Sequence, residues 1–157
     1  MIDISIYVVH TFDDILTLLN TFNSVYTSPL SERVGLLDTS AEKLHRYAKV
    51  ITANNEFGNI CGFAAYYKNK PDTKLAYLTQ LAVAPEHRKK GIAGLLLNSF
   101  ESDICTSGFE RARLEVNKEN TAAINLYKKY GYKIVEVMRH SWYMEKNVVN
   151  NNISAHS

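Results

Sequence analysis

A basic loop with glycines is the stretch of this sequence whose residue types most clearly indicate a ligand. It reads Arg88-Lys89-Lys90-Gly91-Ile92-Ala93-Gly94 and lies between two apolar runs, of which the second has apolar residues at helical spacing. Glycine lets the backbone approach a ligand closely, and the N–H groups of a first helical turn have no partners within the helix. A helix beginning near Gly91 would therefore offer a binding site for a diphosphate. The alternative is a turn that needs Gly91 for its backbone angles and carries three solvated basic residues.

The loop differs from the better-known phosphate motifs, because neither G-x-x-x-x-G-K-[ST] nor G-x-G-x-x-G with a following acid is present. It resembles the [QR]-x-x-G-x-[GA] signature of the GNAT acetyltransferase superfamily, with Arg88, Gly91 and Ala93 in the three defined positions. The stretch just before it, Leu81 to Pro85, is similar to the LAV-x-P pattern that ends a strand in that superfamily.

A second block strengthens the resemblance. Leu114-Glu115-Val116, followed by Asn120, Ala123, Leu126-Tyr127 and Gly131-Tyr132, is similar to the later motif LEV-x-x-x-N-x-x-A-x-x-LY-x-x-x-G-[FY]. Two motifs in this order are far more specific than either alone. The likeness is strong over residues 75–146 and covers the N-terminal half only in outline.

The resemblance implies acetyl-CoA as the cofactor. In the superfamily the fourth strand splays away from the fifth, so that backbone groups of the fourth, here Leu81 and Val83, are left to bind the pantetheine arm like an added strand. The residues that the resemblance assigns to the cofactor are Leu81, Ala82, Val83, Arg88, Lys89, Lys90, Gly91, Ile92, Ala93, Gly94, Asn120 and Tyr127.

The resemblance also implies three catalytic groups. The Leu81 amide would stabilise the oxyanion, Tyr127 would donate a proton to the departing thiolate, and Glu115 would act as the base that deprotonates the amine. Some relatives use a carboxylate at the start of the fourth strand, but here Tyr77 holds that place and residues 75–84 contain no acid. Two alternatives stay open. In the first, Glu115 pairs with Arg113 or a lysine, and water near Tyr77, Thr79 or Gln80 assists deprotonation. In the second, Tyr127 only packs its helix against the sheet.

No motif in the sequence specifies the acceptor. We expect the primary amine of a small molecule, and an amino sugar would suit the hydroxyl, carboxylate and guanidinium groups of the connection after the first helix. The residues assigned to the acceptor are Tyr26, Ser28, Ser31, Glu32, Arg33 and Tyr77. The alternatives are a peptide or protein N-terminal acetyltransferase of the ribosomal-protein type and, outside the enzymes, an acyl-CoA-binding sensor.

The elements that position these groups follow from periodicity and turn signals. Strands are predicted at 4–10, 50–53, 60–67, 75–83, 111–116, 132–137 and 141–145, and helices at 12–23, after Thr39, at 92–106 and at 120–130. The predicted fold class is α/β (α+β), a GNAT fold with a central mixed, mostly antiparallel twisted sheet of about six to seven strands flanked by about four helices. Residues 1–146 would form one domain and 147–157 a disordered C-terminal tail.

Composition sets outer limits on function. A chain of 157 residues with a net charge of +2 fits one globular domain and argues against a dedicated nucleic-acid binder. Cys61 and Cys105 are too few for a disulfide framework or a zinc site and are expected to be buried thiols, so no metal is predicted. No long apolar run or signal peptide is evident. We therefore expect a cytoplasmic protein without a membrane partner, a monomer or a homodimer.

Overall fold

The fold is a seven-stranded sheet with helices on both faces, seen in a computed structural model that describes residues 3–23 and 37–149. The strands and helices in this part of the chain are β1 (Ser5–Val9), α1 (Phe12–Phe22), α2 (Leu37–Tyr47), β2 (Ala48–Asn54), β3 (Ile60–Tyr67), β4 (Leu75–Val83), α3 (Ile92–Thr106), β5 (Arg111–Asn117), α4 (Thr121–Lys129), β6 (Lys133–Val137) and β7 (Ser141–Asn147).

The sheet has the order β1-β2-β3-β4-β5-β7-β6 and is antiparallel except where β4 and β5 lie side by side. These two strands are parallel because α3 carries the chain from the end of β4 back to the start of β5, the crossover that a parallel pair requires. This arrangement confirms the predicted mixed, mostly antiparallel sheet.

Two apolar cores lie on opposite faces of the sheet. On one face, which we call the α3 face, Leu96 and Phe100 of α3 and Ile124 of α4 pack in the larger core. On the other, the α1 face, Leu19 of α1 and Leu44 of α2 pack in the smaller one. The helices meet the sheet because their apolar residues recur at helical spacing.

A bulge in β4 changes which side chains face which core. Tyr66 of β3 lies opposite Leu78 and Ala65 lies opposite Gln80, so Thr79 is an extra residue in β4. Leu78 therefore belongs to the core on the α3 face, whereas Ala82, an even-numbered residue beyond the bulge, belongs to the core on the α1 face. Beyond the bulge it is the odd-numbered side chains that turn toward α3.

Two carboxylates fasten α3 to the sheet. Asp103 accepts hydrogen bonds from the Tyr66 hydroxyl at 2.7 Å, from Lys68 Nζ at 3.0 Å and from Lys49 Nζ at 3.2 Å. Glu101 accepts from Lys146 Nζ of β7 at 2.7 Å and from the Tyr132 hydroxyl at 2.9 Å. The helix that follows the basic loop is thus held to strands on both sides of it.

Most element boundaries agree with the sequence within two residues, and two differ for clear reasons. Helix α2 begins at Leu37, so Thr39 lies inside the helix and does not cap it. Strand β7 continues to Asn147, and Val148 is buried and donates its N–H to the carbonyl of Glu110. Ordered structure therefore extends past residue 146, the predicted end of the domain; residues 150–157 lie outside the described part of the chain.

Candidate active site

Strands β4 and β5 pair over only part of their length. The pairing runs from Leu75 opposite Arg111 to Leu78 opposite Leu114 and stops there. Beyond this point β4 stays paired with β3 as far as Val83, and β5 stays paired with β7 as far as Asn117. The two strands therefore open into a V, as the resemblance predicted.

The amides of Leu81 and Val83 point into this opening. The N–H of Ala84 donates to the Cys61 carbonyl of β3 at 2.8 Å. Because successive N–H groups of a strand point to alternate sides, the N–H groups of Leu81 and Val83 point away from β3. The carbonyl of Val83, on the same side, accepts a hydrogen bond from Arg88 Nε at 3.3 Å. These are the strand amides assigned to the cofactor from the sequence.

Helix α3 begins beside the end of β4 with an open N-terminus. Its N-cap is Gly91, which has a φ of 81° and makes no side-chain capping hydrogen bond. The first bond of the helix runs from the N–H of Leu95 to the carbonyl of Gly91, so the N–H groups from Gly91 to Gly94 have no acceptor within the helix. A Cβ built on Gly91 would meet no atom within 4 Å, so the space beside this N-cap residue is open.

The loop before α3 supplies positive charge. Arg88, Lys89 and Lys90 are exposed, and Lys89 has a φ of 63° that turns the chain toward the helix. Basic side chains together with unpaired N–H groups at a helix start fit a diphosphate. At Gly94 a glycine is also required by packing, because a Cβ there would overlap the Tyr130 hydroxyl.

Two predicted residues lie at the start of α4 and in its interior. Asn120 is the N-cap, and its Oδ1 accepts a hydrogen bond from the N–H of Ala123 at 3.2 Å. Tyr127 is 8% exposed, lies in the core on the α3 face and contacts the ring of Tyr132 edge-on at 5.8 Å between centroids. Burial raises the pKa of the Tyr132 hydroxyl, with further contributions from Glu101 and Tyr127.

Glu115 lies on the other face of β5. Leu114 and Val116 belong to the core on the α3 face, so Glu115 projects from the α1 face, where its side chain is exposed. Its carboxylate accepts a hydrogen bond from the Ser141 hydroxyl. Arg113 does not pair with it, since its guanidinium bonds to Glu145 at 2.6 Å and to Glu136 at 2.8 Å. The structure therefore does not contain the suggested ion pair between Glu115 and Arg113.

Gln80 lies next to Leu81 and is buried on the α1 face. Its side chain is 7% exposed, and in the described part of the chain its Oε1 has no hydrogen-bond partner. Buried polar atoms are nearly always paired, so this oxygen marks a position at which a ligand donor would be accepted. The sequence indicated Gln80 only as one of several residues near which water could assist.

A cavity of about 510 Å³ lies on the α1 face near the start of β4. It includes Tyr77, the one predicted acceptor residue in the described part of the chain. The remaining lining residues are Lys43, Tyr47, Tyr67, Asn69, Lys70, Thr73 and Leu75. Sequence reasoning missed this group because its members come from α2, the end of β3 and the following turn; only the spacing of Lys43 and Tyr47, one helical turn apart, hinted at a shared face.

The other acceptor assignments, Tyr26, Ser28, Ser31, Glu32 and Arg33, lie outside the described residues. Residues 3–23 and 37–149 contain no cluster of three histidine, cysteine, aspartate or glutamate side chains placed to hold a metal ion. Within the same ranges no helix is long and apolar enough to cross a bilayer.

Comparison with known proteins agrees with this geometry. The model of the Acetyltransferase (GNAT) family matches residues 12–132. An N-alpha-acetyltransferase of Sulfurisphaera tokodaii is 40% identical over 68 residues, which are 43% of this chain and 41% of that protein. The chloroplastic GCN5-related N-acetyltransferase 6 of Arabidopsis thaliana is 38% identical over 63 residues, 40% of this chain and 22% of that protein. The matched region thus spans less than half the length of either relative.

The fold is shared with a solved structure, the PaiA N-acetyltransferase of Thermoplasma acidophilum in complex with coenzyme A. The TM-score is 0.74 at 23% identity, covering 92% of this chain and 99% of that one. The chain belongs to the GNAT acetyltransferase family, whose members use acetyl-CoA as the acetyl donor.

Proposed function

We propose that this protein is an acetyl-CoA-dependent N-acetyltransferase that acts on the primary amine of a small molecule. The observation that carries the proposal is the opening between β4 and β5, which ends beside the free N-terminus of α3. One side of the opening offers strand amides to an extended arm, and the helix start offers donors to a diphosphate. A pantetheine arm and a diphosphate are both parts of a coenzyme A molecule.

When bound, acetyl-CoA supplies a thioester whose acetyl group passes to the amine nitrogen and whose sulfur leaves as the thiol. The Leu81 amide is the hydrogen-bond donor for the acetyl oxygen, on which negative charge develops. Tyr127 is the proton donor for the departing sulfur, because a tyrosine hydroxyl remains protonated near neutral pH. Its buried position excludes water from that proton transfer.

The amine must lose a proton before or during attack. Glu115 is the proposed base, and its position on the α1 face places it on the side of the sheet opposite Tyr127. The Ser141 hydroxyl orients its carboxylate. Gln80 Oε1, unpaired in the described part of the chain, is the proposed acceptor for an N–H of the incoming amine. In this proposal the proton donor for the thiol lies on the α3 face and the groups that bind the amine lie on the α1 face. The reaction takes place at the opening between β4 and β5.

A protein N-terminus is the second candidate acceptor. It is favoured by the 40% identity over 68 residues to a protein named N-alpha-acetyltransferase, and the resemblance assigns such enzymes a glutamate at the position of Glu115. The small-molecule proposal is favoured by the cavity that contains Tyr77, whose volume of about 510 Å³ is in the range of small-ligand sites. An amino sugar, free or linked to a nucleotide, remains our specific proposal.

The cofactor site is tested with a matched pair of glycine variants. Gly91 and Gly108 lie just before and just after α3, have φ values of 81° and 91°, and would each place a Cβ in open space. Gly91→Val and Gly108→Val therefore introduce similar backbone strain, about 1–2 kcal/mol, but only the first puts a side chain in front of the helix donors. We expect Gly91→Val alone to lose CoA affinity in calorimetric titration. Equal affinities of the two variants would refute the proposed diphosphate site.

The activity is tested by thiol release from acetyl-CoA. The panel contains amino sugars, nucleotide-linked amino sugars, polyamines, amino acids and N-terminal peptides, and mass spectrometry identifies each acetylated product. Turnover confined to small amines supports the proposal. Efficient acetylation of N-terminal peptides without turnover of any small amine would replace it with the second candidate, and CoA binding without any turnover would favour a sensor.

A further inference from the structure

We propose that the cavity on the α1 face binds an anionic group of the acceptor, so that the substrate is a primary amine joined by a spacer to a carboxylate or phosphate. This inference rests on the proposed acetyltransferase function and specifies its substrate class. The cavity is lined by Lys43, Tyr47, Tyr67, Asn69, Lys70, Thr73, Leu75 and Tyr77.

Among the described residues that line the cavity, the charges are of one sign. Lys43 and Lys70 line it, and no described carboxylate does. Within the described ranges neither ammonium has a carboxylate within 4.0 Å, whereas Arg111 and Arg113 on the adjacent strand both form ion pairs with Glu145. The nearby Asp72, in the turn that contains Thr73, does not line the cavity. Two uncompensated ammonium groups in a concave site attract an anion.

The remaining lining residues suit an organic anion. Lys43 Nζ lies 5.7 Å from the centroid of the Tyr67 ring, so the cation is placed beside an aromatic wall. Tyr47 and Tyr77 add further rings, while Asn69 and Thr73 offer polar groups. A hydrated inorganic ion would gain nothing from three tyrosine rings, but a spacer carrying a charged end would contact both.

The position of the cavity links it to the reaction. Tyr77 pairs with Arg113 across β4 and β5, and Glu115 is two residues further on the same face of β5. Standard strand spacings place the Cα atoms of Tyr77 and Glu115 roughly 8 Å apart. An amine at Glu115 and an anion in the cavity that Tyr77 lines are therefore separated by roughly 8 Å or more. The geometry points to an elongated acceptor and not to a compact amino acid.

The test compares acceptors of equal length that differ in their distal charge. Wild-type protein, Lys43→Gln and Lys70→Gln are assayed by thiol release with 8-aminooctanoate, its neutral amide 8-aminooctanamide and 8-aminooctyl phosphate. Lys133→Gln is the control, because Lys133 is an exposed lysine on the edge strand β6 and does not line the cavity. Thermal unfolding of each variant checks that the fold is retained.

We expect the wild type to prefer one or both anionic acceptors over the amide, and each cavity variant to lose about tenfold in kcat/KM toward them, as when a charged hydrogen-bonding partner is removed. Turnover of the amide should change by less than twofold in all variants. The ratio of carboxylate to phosphate turnover identifies which anion is preferred. No anionic preference in the wild type, or an equal loss toward charged and neutral acceptors, would overturn the proposal.

Calorimetric titration separates failure of this inference from failure of the proposed function. The same three compounds are titrated into protein saturated with CoA. If no amine is acetylated but the anions bind more tightly than the amide, and Lys43→Gln and Lys70→Gln remove that preference, the anion site stands and the proposed activity falls. If amines are acetylated but neither titration nor kinetics shows an anionic preference, the activity stands and the anion site falls.

Discussion

Replacing Asp103 with asparagine should loosen the attachment of α3 to the sheet by a measurable amount. Asp103→Asn keeps the shape of the side chain but removes the charge that Tyr66, Lys49 and Lys68 share. The two ion pairs are partly exposed, at 22–32% of side-chain area, and contribute about 0.5–1 kcal/mol each. The Tyr66 bond to a charged acceptor weakens by a similar amount when the acceptor becomes neutral.

Together these losses predict a decrease of about 2 kcal/mol in the free energy of unfolding at pH 7, measured by urea titration. For a chain of this size the corresponding fall in Tm is about 4–8 °C. Glu42→Gln is the control, because its ion pair with Arg46 is exposed on the helix surface and should contribute less than about 0.5 kcal/mol. Equal unfolding free energies for Asp103→Asn and the wild type would refute the network as an anchor of α3.

The difference in unfolding free energy between the wild type and Asp103→Asn should decrease as the pH falls. Burial alone would raise the pKa of Asp103, but hydrogen bonds from Tyr66, Lys68 and Lys49 outweigh it and hold the pKa below its ordinary value of 3.8. A carboxylate whose pKa is lower in the folded state stabilises the fold above its unfolded-state pKa, and this contribution disappears as the pH falls through the folded-state value. The wild type and Asp103→Asn should therefore differ fully at pH 6 and converge only as the pH falls through the lowered, folded-state pKa of Asp103.

Three further changes test the site and its support. Tyr127→Phe should lower kcat about a hundredfold, while the Kd for CoA measured by calorimetry stays the same. An unchanged kcat would show that Tyr127 only packs its helix against the sheet. Glu115→Gln should lower turnover near pH 7, and its turnover should recover partly at high pH, where free amine is abundant. A pH–rate profile for Glu115→Gln equal to that of the wild type would indicate water-mediated deprotonation. Ser141→Ala should also shift the pH–rate profile, with a smaller loss of turnover. Gly94→Ala should cost about 1–3 kcal/mol in urea unfolding because its Cβ overlaps the Tyr130 hydroxyl, and the same change in a Tyr130→Ala background should cost clearly less.

The central strand, the basic loop and the following helix were predictable because residues within or next to each element set its boundaries. Leu75 to Val83 and Ile92 to Thr106 have the bounds that the sequence predicted, since Pro85 and the glycines near each end of the helix mark the boundaries directly. The V between β4 and β5 was available only through the resemblance, because strand pairing depends on residues far apart in the sequence.

The partners of individual side chains were not predictable. Nothing local distinguishes Ser141 as the donor to Glu115, or Glu145 as the acceptor for Arg113, since both contacts form across β5 and β7. For the same reason the sequence did not indicate that Gly94 lies against Tyr130 or that Asn120 Oδ1 caps its own helix. The cofactor contacts expected of both residues stay predictions. Lys43 and Lys70 line the same cavity only because α2 packs over the end of β3.

The extra residue in β4 has a consequence for how this sequence can change. Thr79 reverses the facing of every later residue of the strand, so that Leu81 packs toward α3 while its N–H points into the opening. Deleting this one residue would exchange the environments of Gln80, Leu81 and Ala82 in a single step, burying the glutamine amide beneath α3. Point substitutions elsewhere on β4 alter one contact at a time. Gaps should therefore be excluded from this strand across active relatives even where its side chains vary freely.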